Sequence, residues 1–290
     1  MERGWCAMHD SPSSGHVKVV SVGRLGSNIV RVQFAGDSLC ARFSLGRADE
    51  AVGVYFSPNG DFWSTDVDLS IGRNYTIRQV DPISDRLTID FMLHEGGVGA
   101  TWARSAVPGM RLFFTNPRAW YSPPPDAEWQ LLAADLAGIP ALSRIVEELA
   151  PGARAHAVLE VLDPADIPVL ETAGRVSVQA LVGTGNGAAA SELVAAVRRH
   201  ALSDGPGYAW FAGEAAVCRE MRKYFRRERG WSNDRLDVIG YWRADADAWN
   251  ARYSAVSESV EALWQNVLDC GGTEREADEI YDEALERAGL

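Results

Sequence analysis

SPPPDAEWQLLAADLAGIPALSRIVEEL, residues 122–149, is where the chain changes its pattern, and reading it decides the fold. Pro123, Pro124 and Pro125 offer no amide hydrogen and favour an extended, stiff backbone, so the run reads as a connector between domains. Trp129 to Asp135 then reads as a buried strand. Ile139 to Leu149 reads as a helix, with Pro140 in its first turn and Leu142, Ile145, Val146 and Leu149 on one stripe. A strand passing straight into an amphipathic helix is the opening of an α/β unit.

Working outward, residues 16 to about 114 hold short β-rich runs broken by turns: HVKVVSVGRL, NIVRVQFAG, a turn-rich middle around SPNGD at 57–61, RNYTIRQVD and RLTIDFMLH. Period-2 alternation between regular turns predicts an antiparallel barrel or sandwich. In the last run Leu87, Ile89, Phe91 and Leu93 face one side, which should be core. Thr88, Asp90, Met92 and His94 face the other, which should be partly polar. After the connector the alternation continues through HAVLEVLD, RVSVQALVG, a helix after Gly187, YAWFAGE, the helix AAVCREMRKYFRRERG and DVIGYWR. That order predicts a parallel α/β sheet whose ligands bind beyond the carboxyl ends of its strands. A helical acidic tail, from about Glu258, closes the chain. The expected divisions are 16–122, 126–243, and 244–290 packed on the second domain.

The length of 290 residues suits two domains, and 47% apolar with 23% charged residues is an ordinary globular composition. The net charge of −12 argues against bulk nucleic-acid binding and against a polybasic hold on anionic lipid. Most of that charge lies beyond residue 243, where three arginines face twelve acidic residues. Cys6, Cys40, Cys218 and Cys270 form no C-x-x-C pair, which fits reduced thiols. Residues 1–16 lack the apolar run of a signal peptide, and no window reaches the roughly 18 apolar residues of a membrane span. These features point to a cytoplasmic enzyme or binding protein without stable membrane insertion, and they leave its oligomeric state open.

Gly183-Thr-Gly-Asn-Gly-Ala188 matches the dinucleotide fingerprint G-x-G-x-x-A, but it follows the third strand of its domain rather than the first. A Gly-rich turn entering a helix is the plainer reading. More specific is Arg73-Asn74-Tyr75-Thr76-Ile77-Arg78, followed by DFMLHEGGVGATWA at 90–103. Together they hold an aromatic face, a hydroxyl, arginines for phosphate, and a Gly-rich loop entering a helix N-terminus, which is what a flavin needs.

These segments resemble the FAD signatures of the siderophore-interacting protein family, the ferric-siderophore reductases of the ferredoxin-reductase-like superfamily. LLAADLAGIPALSRIVEEL, WFAGEAAVCREMRKYFRRERG, GYWR and YDEALERAGL resemble later family elements in order, so the resemblance covers residues 16–290. It implies an FAD-binding antiparallel β-barrel followed by an NAD(P)-binding parallel-sheet α/β domain. By position, Arg73 and Arg78 would contact FAD phosphate or ribose, Tyr75 would lie against the isoalloxazine, and Thr76 would hydrogen-bond near its N5 edge. His94 matches a family histidine near the cofactor, and Gly99, Ala100 and Thr101 match the residues where the pyrophosphate meets a helix start. Asp135, Pro140, Gly213 and Glu214 are expected near the nicotinamide of NADPH or NADH. Ala137 stands where the family usually carries a hydroxyl.

The resemblance implies that NAD(P)H reduces FAD and that reduced FAD passes single electrons to a ferric siderophore. Arg118 and Arg243 are expected on the siderophore, no residue is expected to act as a catalyst apart from the flavin, and no protein metal site is required. A flavin or ferredoxin-type reductase with a protein acceptor, and a non-catalytic siderophore-binding module, are the alternatives. The basic run Arg219, Arg222, Lys223, Arg226, Arg227 and Arg229 reads first as a solvated helix face.

Overall fold

Alternating β-branched and aromatic residues form seven strands in the first half of the computed structural model, which describes residues 14–57, 72–94, 96–244 and 246–290. They are β1 (Ser14–Arg24), β2 (Ile29–Ala35), β3 (Ala51–Tyr55), β4 (Gly72–Thr76), β5 (Gln79–Asp81), β6 (Arg86–Met92) and β7 (Arg111–Arg118). Two short helices, α1 (Leu39–Phe43) and α2 (Val98–Ser105), interrupt them. The expected turn at 57–61 lies, past Ser57, outside the described residues.

The strands form one sheet in the order β4-β3-β7-β1-β2-β6-β5, with every pair antiparallel. β4 and β5 stand at its opposite ends, yet only Ile77 and Arg78 separate them. Three residue steps reach at most about 11 Å, so the sheet has to curl until its ends meet. The crossing shows it: the Ile77 amide donates to the Glu50 carbonyl beside β3 at 2.8 Å, and the Arg78 amide to the Thr88 carbonyl of β6 at 2.8 Å. The enclosed core centres on Phe34, Phe91, Phe114, Ile89 and Val32, with Trp102 of α2 set 5.0 Å from the Phe91 ring. Leu87, Ile89, Phe91 and Leu93 point inward as their spacing predicts. The opposite face is also covered, since Thr88 and Asp90 are buried and Asp90 takes both arms of the Arg31 guanidinium at 2.7 Å.

Beyond the prolines come β8 (Trp129–Asp135), α3 (Ile139–Glu147), β9 (Arg154–Val161), β10 (Arg175–Val182), α4 (Leu193–Arg199), β11 (Gly207–Glu214), α5 (Ala215–Lys223) and β12 (Leu236–Trp242). The sheet runs β10-β9-β8-β11-β12, with β9 on β10, β8 on β9 and β8 on β11 all parallel. The order reverses between β8 and β11, the crevice where such sheets bind ligands. α3 covers one face through Leu142, Ile145 and Val146, and α4 and α5 cover the other through Val197, Cys218 and Met221.

Two expectations change here. The helix after Gly187 starts at Leu193, because the buried Glu160 carboxylate gathers the loop around itself. It accepts from Thr184 Oγ1 (2.9 Å), Ser191 Oγ (2.8 Å) and the Glu192 amide (2.6 Å). A carboxylate therefore fills the turn where a dinucleotide fingerprint would need an anion-binding cradle. The helix from Ala215 also does not run to Gly230 as a regular α-helix, passing instead into a π-helical turn at Tyr224–Glu228.

Met1–Tyr241 is one compact unit containing both sheets. Within it Ile29, Ala48 and Met92 of the barrel join the core beneath α3. The buried Asp49 carboxylate accepts from the amides of Trp120 and Tyr121 and from Trp210 Nε1 of β11. The proline connector is docked too, its Ser122 amide donating to Tyr208 Oη at 3.0 Å. Trp242–Leu290 is a second unit of three helices, α6 (Ala246–Tyr253), α7 (Ser257–Asp269) and α8 (Glu274–Arg287). Its helices begin earlier than the expected Glu258, because Trp249 and Tyr253 stack at i,i+4 with centroids 4.6 Å apart and give a polar stretch an apolar side.

Candidate functional site

β4 carries the first group of expected residues. Arg73 is exposed, and Tyr75, two residues on and so on the same face, turns its ring onto Phe91 with centroids 4.5 Å apart. Burial pushes the Tyr75 hydroxyl up to about 12, which keeps it a neutral hydrogen-bonding group. Thr76, facing the other way, is buried with its Oγ1 3.5 Å from Tyr241 Oη at the end of β12. Burial raises the Tyr241 hydroxyl far above its ordinary value, so it too stays protonated.

The Gly-rich loop meets this strand. Gly96 and Gly97 hold φ of 73° and 79°, a left-handed region that side chains other than glycine rarely enter. They turn the chain into α2, whose N-terminus carries no capping side chain and no acidic residue in its first turn. The first amides of the helix, including those of Gly99 and Ala100, have no carbonyl one turn earlier to bond, and the helix dipole favours an anion there. The Thr101 amide is already used, donating to the Gly97 carbonyl at 3.1 Å. A Cβ at Gly99 would collide with the Tyr75 hydroxyl, so glycine is what lets α2 and β4 touch. His94 is exposed at the loop entrance, its carbonyl accepting from Arg104 Nη2 at 2.6 Å and its ring beside Gly97. An uncapped helix start beside an exposed arginine and a buried hydroxyl fits the diphosphate and ring of FAD.

The second group lies at the reversal point of the parallel sheet. Asp135 ends β8 and Glu214 ends the adjacent β11. The buried Asp135 carboxylate accepts from the amides of Ala137 (2.9 Å) and Glu214 (2.8 Å), and a Cβ at Gly213 would lie 2.6 Å from it. Glu214 caps α5 through the amides of Ala216 and Val217, and Pro140 is buried in the first turn of α3. These four residues thus lie at the carboxyl ends of β8 and β11 and at the starts of the helices that follow them.

Other expected residues go elsewhere. Arg78 points to α3 and grips Glu147 with both arms, at 2.8 and 2.5 Å. Arg118 is exposed at the end of β7 in the first unit, whereas Arg243 belongs to the second, its guanidinium 3.8 Å from the Trp249 ring centroid. In the basic run, Arg222 donates to the Val238 carbonyl at 2.8 Å.

Sequence reading missed Asp49, Glu50, Arg144 and Tyr241. Glu50 is wholly buried and bonds Arg144 Nη1 at 2.7 Å, and Arg144 also donates to the Ile77 carbonyl at 2.9 Å. The available signal was an acidic pair, Asp49-Glu50, directly before an apolar strand. Arg144 sits among the buried positions of an amphipathic helix, where a lone arginine asks for a carboxylate partner. Among the described residues no cluster of three or more His, Cys, Asp or Glu side chains is placed to hold a metal, and no helix is long and apolar enough to cross a membrane.

The comparisons with known proteins fall on this geometry. The model of the siderophore-interacting FAD-binding domain matches residues 18–121, and that of the siderophore-interacting protein matches 127–245. The ferric vibriobactin reductase ViuB of Vibrio cholerae is 32% identical over 179 residues, covering 60% of this chain and 65% of its own length. The NADPH-dependent ferric-chelate reductase of Escherichia coli is 27% identical over 242 residues, 78% of this chain and 91% of that protein. The chain spans 64% of the length of mycobacterial relatives that match at 34% identity. A siderophore utilization protein from T. fusca superposes with a TM-score of 0.68 at 29% identity, covering 79% of this chain and 92% of that one. The antiparallel sheet followed by a parallel sheet is the ferredoxin-reductase-like arrangement.

Proposed function

The chain belongs to the siderophore-interacting protein family, and from that premise we propose that it is an FAD-dependent NAD(P)H:ferric-siderophore reductase releasing iron(II) in the cytoplasm. The observation that carries the reading is the meeting of Thr76 with Tyr241, at 3.5 Å, which sets the expected flavin strand against the second sheet. A flavin site and a nucleotide crevice have to adjoin for hydride transfer, and the reading is supported in that the residues assigned to each belong to one compact unit.

The residues divide the work. Arg73 and the first amides of α2 hold the negative diphosphate, by charge and by oriented N–H groups. Tyr75 gives the ring system an apolar wall, and Thr76 presents a hydroxyl that donates or accepts at its polar edge. Asp135 and Glu214 order the amides at the ends of β8 and β11, and with Pro140 and Gly213 they shape the crevice for the nicotinamide end of NADPH or NADH. FAD, when bound, supplies chemistry that no side chain here offers: it takes two electrons together and gives them up singly. Iron(III) enters as substrate inside its chelator, and after gaining one electron it holds hard oxygen ligands less tightly. Arg118 is assigned to the oxygen-rich face of that chelate. We assign 16–122 to FAD, 126–243 to the nucleotide and 244–290 to a helical tail.

The test is anaerobic incubation of the FAD-reconstituted full chain with NADPH or NADH, a panel of ferric siderophores and a ferrous chelator. Ferrous complex should appear with at least one siderophore and only when enzyme, flavin and nicotinamide are all present. No ferrous complex above the enzyme-free rate with any siderophore would overturn the reading.

A further inference from the structure

A chain of alternating charges crosses from the barrel to α3. Arg31 of β2 holds Asp90 of β6 with two bonds of 2.7 Å, Asp90 lies 4.0 Å from Arg78, and Arg78 holds Glu147 of α3 with two more. Beside it Arg144 of α3 reaches back, donating at once to the Glu50 carboxylate and to the Ile77 carbonyl, while its Nε meets Glu148 at 2.6 Å. Arg31, Arg78, Arg144, Glu147 and Glu148 line one cavity of about 520 Å³.

Two features single this out. First, Arg78 and Ile77 directly follow Tyr75 and Thr76, so the residues gripped by α3 continue the strand assigned to the flavin. Second, both arms of the Arg78 guanidinium are already matched to a carboxylate. Glu147 and the nearby Asp90 already balance the charge of this guanidinium, and paired arginine–carboxylate geometry fixes orientation as well as distance.

We propose that Arg78 and Arg144 are positioning residues, a two-arginine clamp that fixes α3, and with it the Asp135–Pro140 end of the nucleotide crevice, against the strand carrying Tyr75 and Thr76, and that Arg78 is not a ligand of FAD. The clamp rests on the flavin and nucleotide assignment above. It sets the spacing across which hydride passes, where an error near 1 Å costs up to about 100-fold in rate.

The experiment compares full-chain Arg78→Ala, Glu147→Ala and the charge-exchanged Arg78→Glu/Glu147→Arg protein. Three readouts are taken: FAD dissociation constant by flavin fluorescence, rate of flavin reduction by NADPH in anaerobic stopped flow, and hydrogen exchange of the α3 and Ile77 amides. The two single variants should behave alike, with FAD affinity within about twofold of wild type, reduction slowed roughly 10- to 100-fold, and faster exchange in α3. The exchanged pair should recover much of both losses. Tenfold weaker FAD binding in Arg78→Ala with unchanged binding in Glu147→Ala would make Arg78 a cofactor ligand and overturn the clamp. So would unaltered reduction and exchange in Glu147→Ala. A wild-type chain that binds no FAD overturns the parent assignment instead, and hydrogen exchange in the two single variants then decides whether the clamp exists.

Discussion

Gly99 shows how much a single missing side chain can decide. The hydroxyl of Tyr75 occupies the space a Cβ would take, so Gly99→Ala has to push the tyrosine off Phe91 or draw the start of α2 away from β4. Overpacking of this kind costs about 1–3 kcal/mol of stability. It also separates the uncapped amides of α2 from the Arg73 strand. We expect FAD to bind the Gly99→Ala protein at least about tenfold more weakly, equivalent to about 1.4 kcal/mol. Gly23→Ala, where no heavy atom lies within 4 Å of the added Cβ, should bind FAD like wild type. Equal FAD affinity in the two variants, measured by fluorescence titration, would remove the α2 amides from the cofactor site. The same kind of contact accounts for a glycine in the loop at 183–188. Gly185 is there because Glu160 occupies the space beside it, which is a packing reason that a glycine pattern cannot distinguish from a phosphate-binding one.

Between elements, the stacked rings of His156 on β9 and His200 at the end of α4 give the parallel sheet a pH dependence of its own, with centroids 3.8 Å apart and planes 3° from parallel. Burial first, and then the neighbouring His200, lowers the His156 pKa below the ordinary histidine value, and its Nε2 has no hydrogen-bond partner among the described residues. A lowered pKa means the unfolded chain takes up the proton first as pH falls. Stability contributed by the neutral ring is therefore full above about pH 6.5 and drains away as pH drops through the interval down to the folded value. Thermal melts from about pH 7 to about pH 5 should show a falling midpoint that His156→Gln flattens. An equally steep fall in the variant would place the titration elsewhere. Elements themselves were largely legible: the 3.6-residue stripe of α3 and the period-2 faces of β6 stand where their spacing predicts. What escaped was pairing across the chain. Nothing local to Glu50 tells that Arg144, 94 residues later, will bury it, and nothing local to Arg78 tells that Glu147, 69 residues later, will bond it. Long-range ion pairs leave no periodicity.

For the first unit as a whole, two sheets share a buried seam in which Asp49 ties β11 to the chain after β7, Asn28 holds Asp166, and Arg144 and Arg78 hold α3 to the barrel. A seam with this many fixed polar contacts suits two ligands held at one distance rather than two domains that swing apart, which is what direct hydride transfer between bound cofactors requires. The order of the two sheets was readable from the sequence because strands broken by turns give way, after the prolines, to strands alternating with helices. The tightness of the seam was not, since the run of prolines reads as a spacer and here lies docked against Tyr208. The most direct test follows the flavin absorbance of the reconstituted full chain in one sealed cuvette, first on adding NADPH and then on adding ferric siderophore. The yellow band should bleach with NADPH and return, without oxygen, in proportion to the ferric siderophore supplied. Flavin that bleaches but never recovers with any ferric siderophore, or a chain that retains no flavin at all, would contradict the account.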